Sequence, residues 1–145
     1  APGQKYDYKM EWMDALEQHA RALLKQDEAF VLCGDYNCIP TPEDCWDETV
    51  WQDDALALPQ TRAEFRKLKY LGLADAFELT DNRAHQYTFW DYQGGAFKKD
   101  HGIRIDHLLC SPQACDRLQS VEIYRKAREL EKPSDHVPVI GTFED

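Results

Sequence analysis

Ala29-Phe30-Val31-Leu32-Cys33-Gly34-Asp35-Tyr36-Asn37 sets the frame for reading this 145-residue chain. The apolar run Ala29–Cys33 predicts a short buried strand, and Gly34 stops it. A carboxylate and a carboxamide then stand two residues apart. If the extended geometry runs on, Asp35 and Asn37 face the same way, at a strand end, where a sheet presents side chains to a cleft. Such a pair can hold a metal ion or a nucleophilic water and can hydrogen-bond phosphate oxygens. The competing reading is that both are turn formers, favoured there by local hydrogen bonds to the backbone.

Upstream, Met13, Leu16, Ala20 and Leu23 recur at helical spacing and predict an amphipathic helix from about Tyr8 to Lys25. Downstream, Pro40, Pro42 and the acids after them predict an irregular connection, with Thr41 placed to cap a short helix at Pro42–Asp47. Thr61 to Tyr70 reads as a helix with Phe65 and Leu68 on its apolar stripe, ended by Gly72. Leu73 to Phe77 is a short element of either type. Tyr87-Thr88-Phe89-Trp90 carries strong β preference, and Ile103–Cys110, Ser120–Tyr124 and Val137–Phe143 are further strand candidates. Helix and strand mix without strict alternation, which predicts an α+β layered domain. No repeat or low-complexity segment interrupts it, and 145 residues suit one domain and not two.

The composition, 43% hydrophobic and 30% charged, is that of a globular chain and excludes intrinsic disorder. No apolar run is long enough to span a bilayer, so no membrane role is expected. No signal segment opens the chain, and Ala1-Pro2-Gly3, without a starting Met, reads as the middle of something longer. The net charge of −10 argues at first against a nucleic-acid partner. The charge is uneven, however: Lys98, Lys99, Arg104, Arg125, Lys126, Arg128 and Lys132 crowd the later part, either as a local phosphate-binding patch or as ordinary solvated surface. The five cysteines are odd in number and match no zinc or redox spacing. Cys33 and Cys110 end apolar runs and read as small core residues. This usage suggests a reducing, cytoplasmic setting.

Two more segments place polar groups at strand ends. In Arg104-Ile105-Asp106-His107-Leu108-Leu109, Asp106 lies inside an apolar strand, where an unpaired carboxylate is costly to bury. It needs a cation, a metal or a histidine; a structural pair with Arg104, two residues away on the same face, is the plain alternative. His107 points to the opposite face as a packing residue. In Glu131-Lys132-Pro133-Ser134-Asp135-His136-Val137-Pro138-Val139, His136 is a residue type suited to general acid–base work near neutral pH, and Asp135 offers oxygen to a hard cation. The plain reading there is a loop of turn formers before a strand.

Together, Gly34-Asp35-Tyr36-Asn37, Arg104-Ile105-Asp106-His107 and Ser134-Asp135-His136 resemble, in order and spacing, the endonuclease/exonuclease/phosphatase superfamily. Tyr87-Thr88-Phe89-Trp90-Asp91-Tyr92, Gly94-Gly95-Ala96-Phe97, Gly102-Ile103-Arg104-Ile105-Asp106 and Glu131–His136 look specifically like exonuclease III and its abasic-endonuclease relatives, as do Pro40-Thr41-Pro42-Glu43-Asp44 and Trp46-Asp47. The likeness covers the chain from Tyr8 onward.

The resemblance implies that residues 1–145 are a single partial domain. It would be the C-terminal half of a four-layer α/β/β/α sandwich, with a mixed, largely antiparallel sheet and helices on one face. It implies a Mg²⁺-dependent DNA phosphodiesterase, with Mn²⁺ as an alternative ion, acting on abasic sites or 3′ ends in base-excision repair. Asp35, Asn37, Asp106 and His136 would be catalytic. Asp35 would activate the water or protonate the leaving group, and Asn37 would orient it. Asp106 would fix the His136 ring, and His136 would contact the scissile phosphate. Asp135, with Asp35 and Asn37, would hold the metal, and Phe89, Trp90, Ile103 and Arg104 would lie at the pocket for substrate. In this family a metal-binding Glu, an Asn and a Tyr come from the other half, so an inner sheet face is expected to need that half or another chain to cover it. Alternatives are a superfamily phosphodiesterase acting on a lipid or other phosphoester, and a half-domain that binds without turnover.

Overall fold

The computed structural model describes residues 3–81 and 83–145, so the reading of Ala1-Pro2 as the interior of a longer chain lies outside the described residues. Helix α1 runs Gln4–Leu24, starting four residues earlier than its periodicity predicts. The reason is Tyr6, which belongs to the same buried stripe as Met13 and Ala20, and whose hydroxyl is 2.9 Å from Thr61 Oγ1. Strand β1 is Val31–Asp35, a shift of two residues that makes Asp35 the last residue of the strand. A 3-10 turn at Pro42–Asp44 and a four-residue helix α2, Glu48–Trp51, replace the single short helix expected at Pro42–Asp47. Asp44 closes the first through the Thr41 N–H and hydroxyl (3.2 and 2.8 Å), and Asp47 caps the second by accepting from Thr49 N–H.

Helix α3, Pro59–Tyr70, begins on a proline, whose missing N–H costs nothing at the first helical position. Its buried Thr61, Phe65 and Leu68 face α1 and the sheet. Gly72, at φ +118°, takes the turn that follows. The ambiguous stretch Leu73–Phe77 divides into β2, Ala74–Asp75, and the start of α4, Ala76–Thr80. Strand β3 is Asp106–Cys110, then come α5, Pro112–Cys115, and β4, Leu118–Ile123; a second 3-10 turn at Arg125–Glu129 precedes β5, Val139–Phe143.

All ladders are antiparallel. One sheet has the order β1-β3-β2, and β4 pairs with β5. Alternation divides the first sheet cleanly. Leu32, Tyr36 and Leu109 pack with Met13, Phe65 and Leu68 beneath α1 and α3. On the other face Val31, Leu108 and Cys110 meet Phe77, Val121, Val139 and Phe143. Cover on that face is incomplete, since Cys33 and Asp35 are exposed on it, and among the described residues β1 is an edge strand paired with β3. Cys110 is buried as expected, but Cys33, on the same face, is not a core residue, because the α4, β4 and β5 side chains that cover Cys110 do not extend over it.

Two other expectations are corrected. Tyr87–Trp90 is not a strand; it contributes single bridges, Phe89 to Ile103 on one side and Phe89 to His136 on the other. Gly94 and Gly95, both at positive φ, belong to the turn that follows. Ile103–Ile105 likewise stays outside β3, because the Arg104 N–H donates to the Asp44 carbonyl instead of a strand partner (2.8 Å).

Arg104 does not pair with Asp106. Its Nε donates to Asp44 Oδ1 at 2.8 Å and its second nitrogen lies 3.0 Å from Asp75 Oδ2, all three side chains being largely buried. Its remaining nitrogen donates to His107 Nδ1 (3.2 Å), which leaves His107 Nε2–H to donate to the Cys38 carbonyl (2.9 Å). His107 therefore does more than pack. Full burial, with the Arg104 charge beside it, pushes its pKa down to about 4.

A histidine depressed below its unfolded value stabilises the fold above that value and loses the contribution as pH falls toward the folded one. Lowering the pH from 7 to 5 should cost about 2 kcal/mol through His107 alone. Urea midpoints at the two pH values measure this, and His107→Gln should remove that share of the loss.

Candidate functional site

The β1–β3 register sets Asp35 directly opposite Asp106. Like charges in that position repel, and the side chain that relieves the repulsion is His136. Its Nδ1 lies 2.8 Å from Asp106 Oδ2 and its Nε2 lies 3.7 Å from Asp35 Oδ2. Asp35 is the most open of the three and Asp106 the least.

His136 is delivered by the Tyr87–Trp90 strap. Val137 N–H donates to the Thr88 carbonyl (2.9 Å) and Trp90 N–H to the Asp135 carbonyl (3.0 Å), while Thr88 and Phe89 N–H both donate to Ile103 (2.9 and 3.0 Å). Ser134 Oγ accepts the His136 N–H at 3.2 Å. Thr88, fully buried, accepts from the N–H groups of Ile105 and Asp106 through its hydroxyl (3.1 and 3.3 Å). It thereby ties the entry to β3 to the strap, a positioning role that sequence reading missed. The only sequence signal was a small hydroxyl residue set between aromatics in a β-type run.

Burial alone would lower the His136 pKa. The Asp106 hydrogen bond and charge, helped by Asp35 and Asp135, outweigh it and hold the imidazole above its usual value. Burial lifts the Asp106 carboxyl, opposed by its hydrogen bonds from His136 and Thr88. The pair can therefore hold a proton on the ring while the carboxylate fixes its tautomer, with Nε2 facing the open side.

Asn37 does not continue the strand. It sits at φ +47°, and its N–H donates to Asp35 Oδ1 at 2.8 Å. The turn-former reading thus describes the local geometry, while both side chains remain exposed at the rim. Tyr36 between them turns into the core and donates to the Leu32 carbonyl (2.7 Å). Lys9, from α1, donates to the Asn37 carbonyl and spans to the Ala55 carbonyl (3.5 Å). Asp135 is half-buried, and its carboxylate lies outside the tight group formed by Asp35, Asp106 and His136, whose ligand atoms fall within 4.8 Å of one another.

Of the residues expected at a substrate pocket, only Phe89 reaches the site. It is partly exposed and stands edge-on to the His136 ring at 5.1 Å. Trp90 and Ile103 are each 1% exposed. The Trp90 indole donates to Asp100 (3.0 Å) and abuts Gly102, where an added Cβ would come within 2.6 Å of it. Arg104 is withdrawn because two carboxylates hold it inside.

The donor chemistry fits a hard cation. Asp35 and Asp106 offer carboxylate oxygens and Asn37 a carboxamide oxygen at the same rim. Mg²⁺ is commonly held by one or two carboxylates, with water and substrate phosphate completing its shell.

The family model described as "Endonuclease/Exonuclease/phosphatase family" matches residues 1–136. Exodeoxyribonuclease III of Haemophilus influenzae is 29% identical over 149 residues, covering 96% of this chain and 55% of the relative. Among solved structures, a 3′ phosphatase from Neisseria bound to product DNA hairpin superposes with a TM-score of 0.94 at 34% identity, covering 98% of this chain and 55% of the other. An AP endonuclease from Archaeoglobus fulgidus gives 0.93 at 29% identity, covering 99% and 56%. The chain spans about half the length of the curated relatives it matches, and the likeness establishes the expected α+β fold.

In Asp106→Asn the strongest influence raising the imidazole is removed. The His136 titration midpoint, followed by NMR, should fall relative to the parent chain; an unchanged midpoint would mean that the 2.8 Å contact does not set it.

Proposed function

This chain belongs to the endonuclease/exonuclease/phosphatase family, and from that premise we propose that it carries the phosphodiester-cleaving rim of a Mg²⁺-dependent DNA phosphodiesterase of the exonuclease III type, acting at abasic sites and 3′ ends. The observation that carries this reading is the Asp35–His136–Asp106 array. In it Asp106 holds the ring from behind, so that His136 Nε2–H faces the open side and donates to a phosphate oxygen of the scissile group. Asp35, exposed beside it, takes the proton of the attacking water as the water's oxygen bonds to phosphorus and the P–O bond to the leaving sugar oxygen breaks, that oxygen taking a proton from solvent. Asn37, at the same rim, orients that water and donates to phosphate through its carboxamide. Asp35 and Asn37 would hold a Mg²⁺ or Mn²⁺ ion, and Asp135, outside the tight group of Asp35, Asp106 and His136, would have to turn toward it to share it. Bound there, the ion supplies charge neutralisation at the phosphate and at the leaving oxygen. Phe89, beside His136, borders the place where a sugar lacking its base would fit.

The sheet face that leaves Cys33 exposed is where the rest of a longer protein, or another chain, completes the site. The 145-residue chain alone then has little or no activity. Its five free thiols accord with a cytoplasmic setting.

Full-length protein with His136→Ala should lose roughly 10²- to 10⁴-fold in the rate of abasic-duplex cleavage in Mg²⁺. Equal rates for variant and parent would refute the assignment, and preferential hydrolysis of a lipid phosphodiester would move it to another substrate. Cleavage by the 145-residue chain at the full-length rate would refute the need for a covering partner.

A further inference from the structure

The cations that crowd the later part of the chain do not behave alike. Lys98, Lys99, Lys126 and Lys132 are exposed, and Arg104 is held inside by Asp44 and Asp75. Arg125 and Arg128, from the 3-10 turn Arg125–Glu129, instead lie over aromatic rings. Ala127 between them packs against the cluster of Trp90 and Val137, which seats the turn.

The Arg128 guanidinium is 5.1 Å from the centre of the Tyr92 ring and 5.4 Å from that of Phe97, both within cation–π range. One terminal nitrogen donates to the carbonyls of Trp90 and Asp91, each at 3.3 Å. Its Nε is shut off from solvent. Arg125 covers Phe97 from 4.8 Å and Trp90 from 5.3 Å. It also lies 3.4 Å from Asp100 Oδ1, the oxygen that accepts the Trp90 indole N–H.

The contacts of Arg128 lead to His136. Trp90, whose carbonyl it holds, donates its own N–H to the Asp135 carbonyl (3.0 Å), and Asp135 directly precedes His136. Tyr92, whose ring it covers, donates its hydroxyl to the Pro133 carbonyl (3.1 Å). The end of the Tyr87–Trp90 strap and the Pro133–His136 segment are thus tied at two points, and one guanidinium bears on both. Meeting two carbonyls edge-on and a ring face-on at once takes a planar cation with N–H groups along its rim, which arginine has and lysine lacks.

We infer that Arg128 is a positioning residue for His136: it holds the end of the strap, and through Trp90 and the Asp135 carbonyl it keeps the imidazole in place against Asp106. The inference rests on the phosphodiesterase reading and adds to it a group that acts from behind the site. Its signature is a fall in kcat with KM unchanged. A cation that met phosphate instead would, when removed, raise KM and flatten the salt dependence of binding.

The test uses the full-length protein. Arg128→Ala should lower kcat for abasic-duplex cleavage about ten- to one-hundred-fold, the cost of misplacing a reacting group by about an ångström, with KM and its salt dependence unchanged. Arg128→Lys, which keeps the charge should the alanine variant not fold, should leave kcat low. Lys126→Ala, which removes an exposed cation of the same turn, should behave like the parent. Without substrate and at fixed pH, the His136 ring signals in NMR spectra, assigned from His136→Gln, should move in both Arg128 variants and stay in Lys126→Ala.

A role in stability alone would lower the melting temperature and leave the His136 signals of the folded variants in place, and that result overturns the proposal. So does a rise in KM with kcat unchanged, or full recovery of kcat in Arg128→Lys. Displaced His136 signals in a protein that cleaves no DNA would defeat the nuclease reading and leave the positioning role. Cleavage that needs His136 but is indifferent to Arg128 would do the reverse.

Discussion

Two carboxylates facing each other across an antiparallel ladder are the constraint on which this structure turns. The pairing of Asp35 with Asp106 is set by the hydrophobic alternation of β1 and β3: slipping either strand by one residue would turn Leu32 and Leu109 out of the core beneath α1. The core therefore enforces a juxtaposition that electrostatics opposes. His136 resolves the conflict by standing between the two acids, 2.8 Å from one and 3.7 Å from the other. The elements around it serve that placement. The Tyr87–Trp90 strap gives up regular strand pairing to bridge Ile103 and His136 at once, and buried Thr88 ties strap and β3 together.

Behind this rim lies a second polar cluster of a different kind. Arg104, Asp44, Asp75 and His107 are largely or fully removed from water, and their charges are matched by ion pairs, by hydrogen bonds and by a neutral imidazole. A buried cluster of this sort is weak evidence for net stability, but it fixes geometry. Through His107 it holds the Cys38 carbonyl, one residue beyond Asn37, and through Asp44 it holds the turn after it. One cluster thereby joins the loop after β1, the start of β3 and the cap of α4, where Asp75 also accepts the Phe77 N–H.

The gathering of Asp35, Asp106 and His136 was legible because each stands at the margin of an apolar run, where a polar side chain needs a reason to be. Helices α1 and α3 were legible from their stripes, though Tyr6 and Pro59 extend them beyond the obvious period. The failures came where a long-range partner decides. Nothing local says that Arg104 will turn to Asp44 and Asp75, sixty and twenty-nine positions away, in preference to Asp106 beside it. Nor does the apolar run before Gly34 reveal that Cys33 faces outward, since alternation tells the two faces apart but not which one is covered. At Asn37 local chemistry won: its N–H donates to the Asp35 carboxylate, which favours the left-handed turn over continued extension.

The open face and the sparse ligand set follow from the same fact. A hard divalent cation needs about six oxygens, and among the described residues the grouped carboxylates at this rim are those of Asp35 and Asp106, with His136 held to Asp106 through Nδ1. Among the described residues the outer edge of β1 has no strand partner, and its Cys33, Gly34 and Asp35 remain exposed. Relatives of nearly twice the length share this half with TM-scores above 0.9. A layer laid over β1 would shield Cys33, lower the dielectric around Asp35 and bring further oxygens within reach of the same ion. On the proposed function, covering the sheet and completing an ion site at this rim would be a single event, whereas the imidazole–carboxylate pair is already formed within this chain.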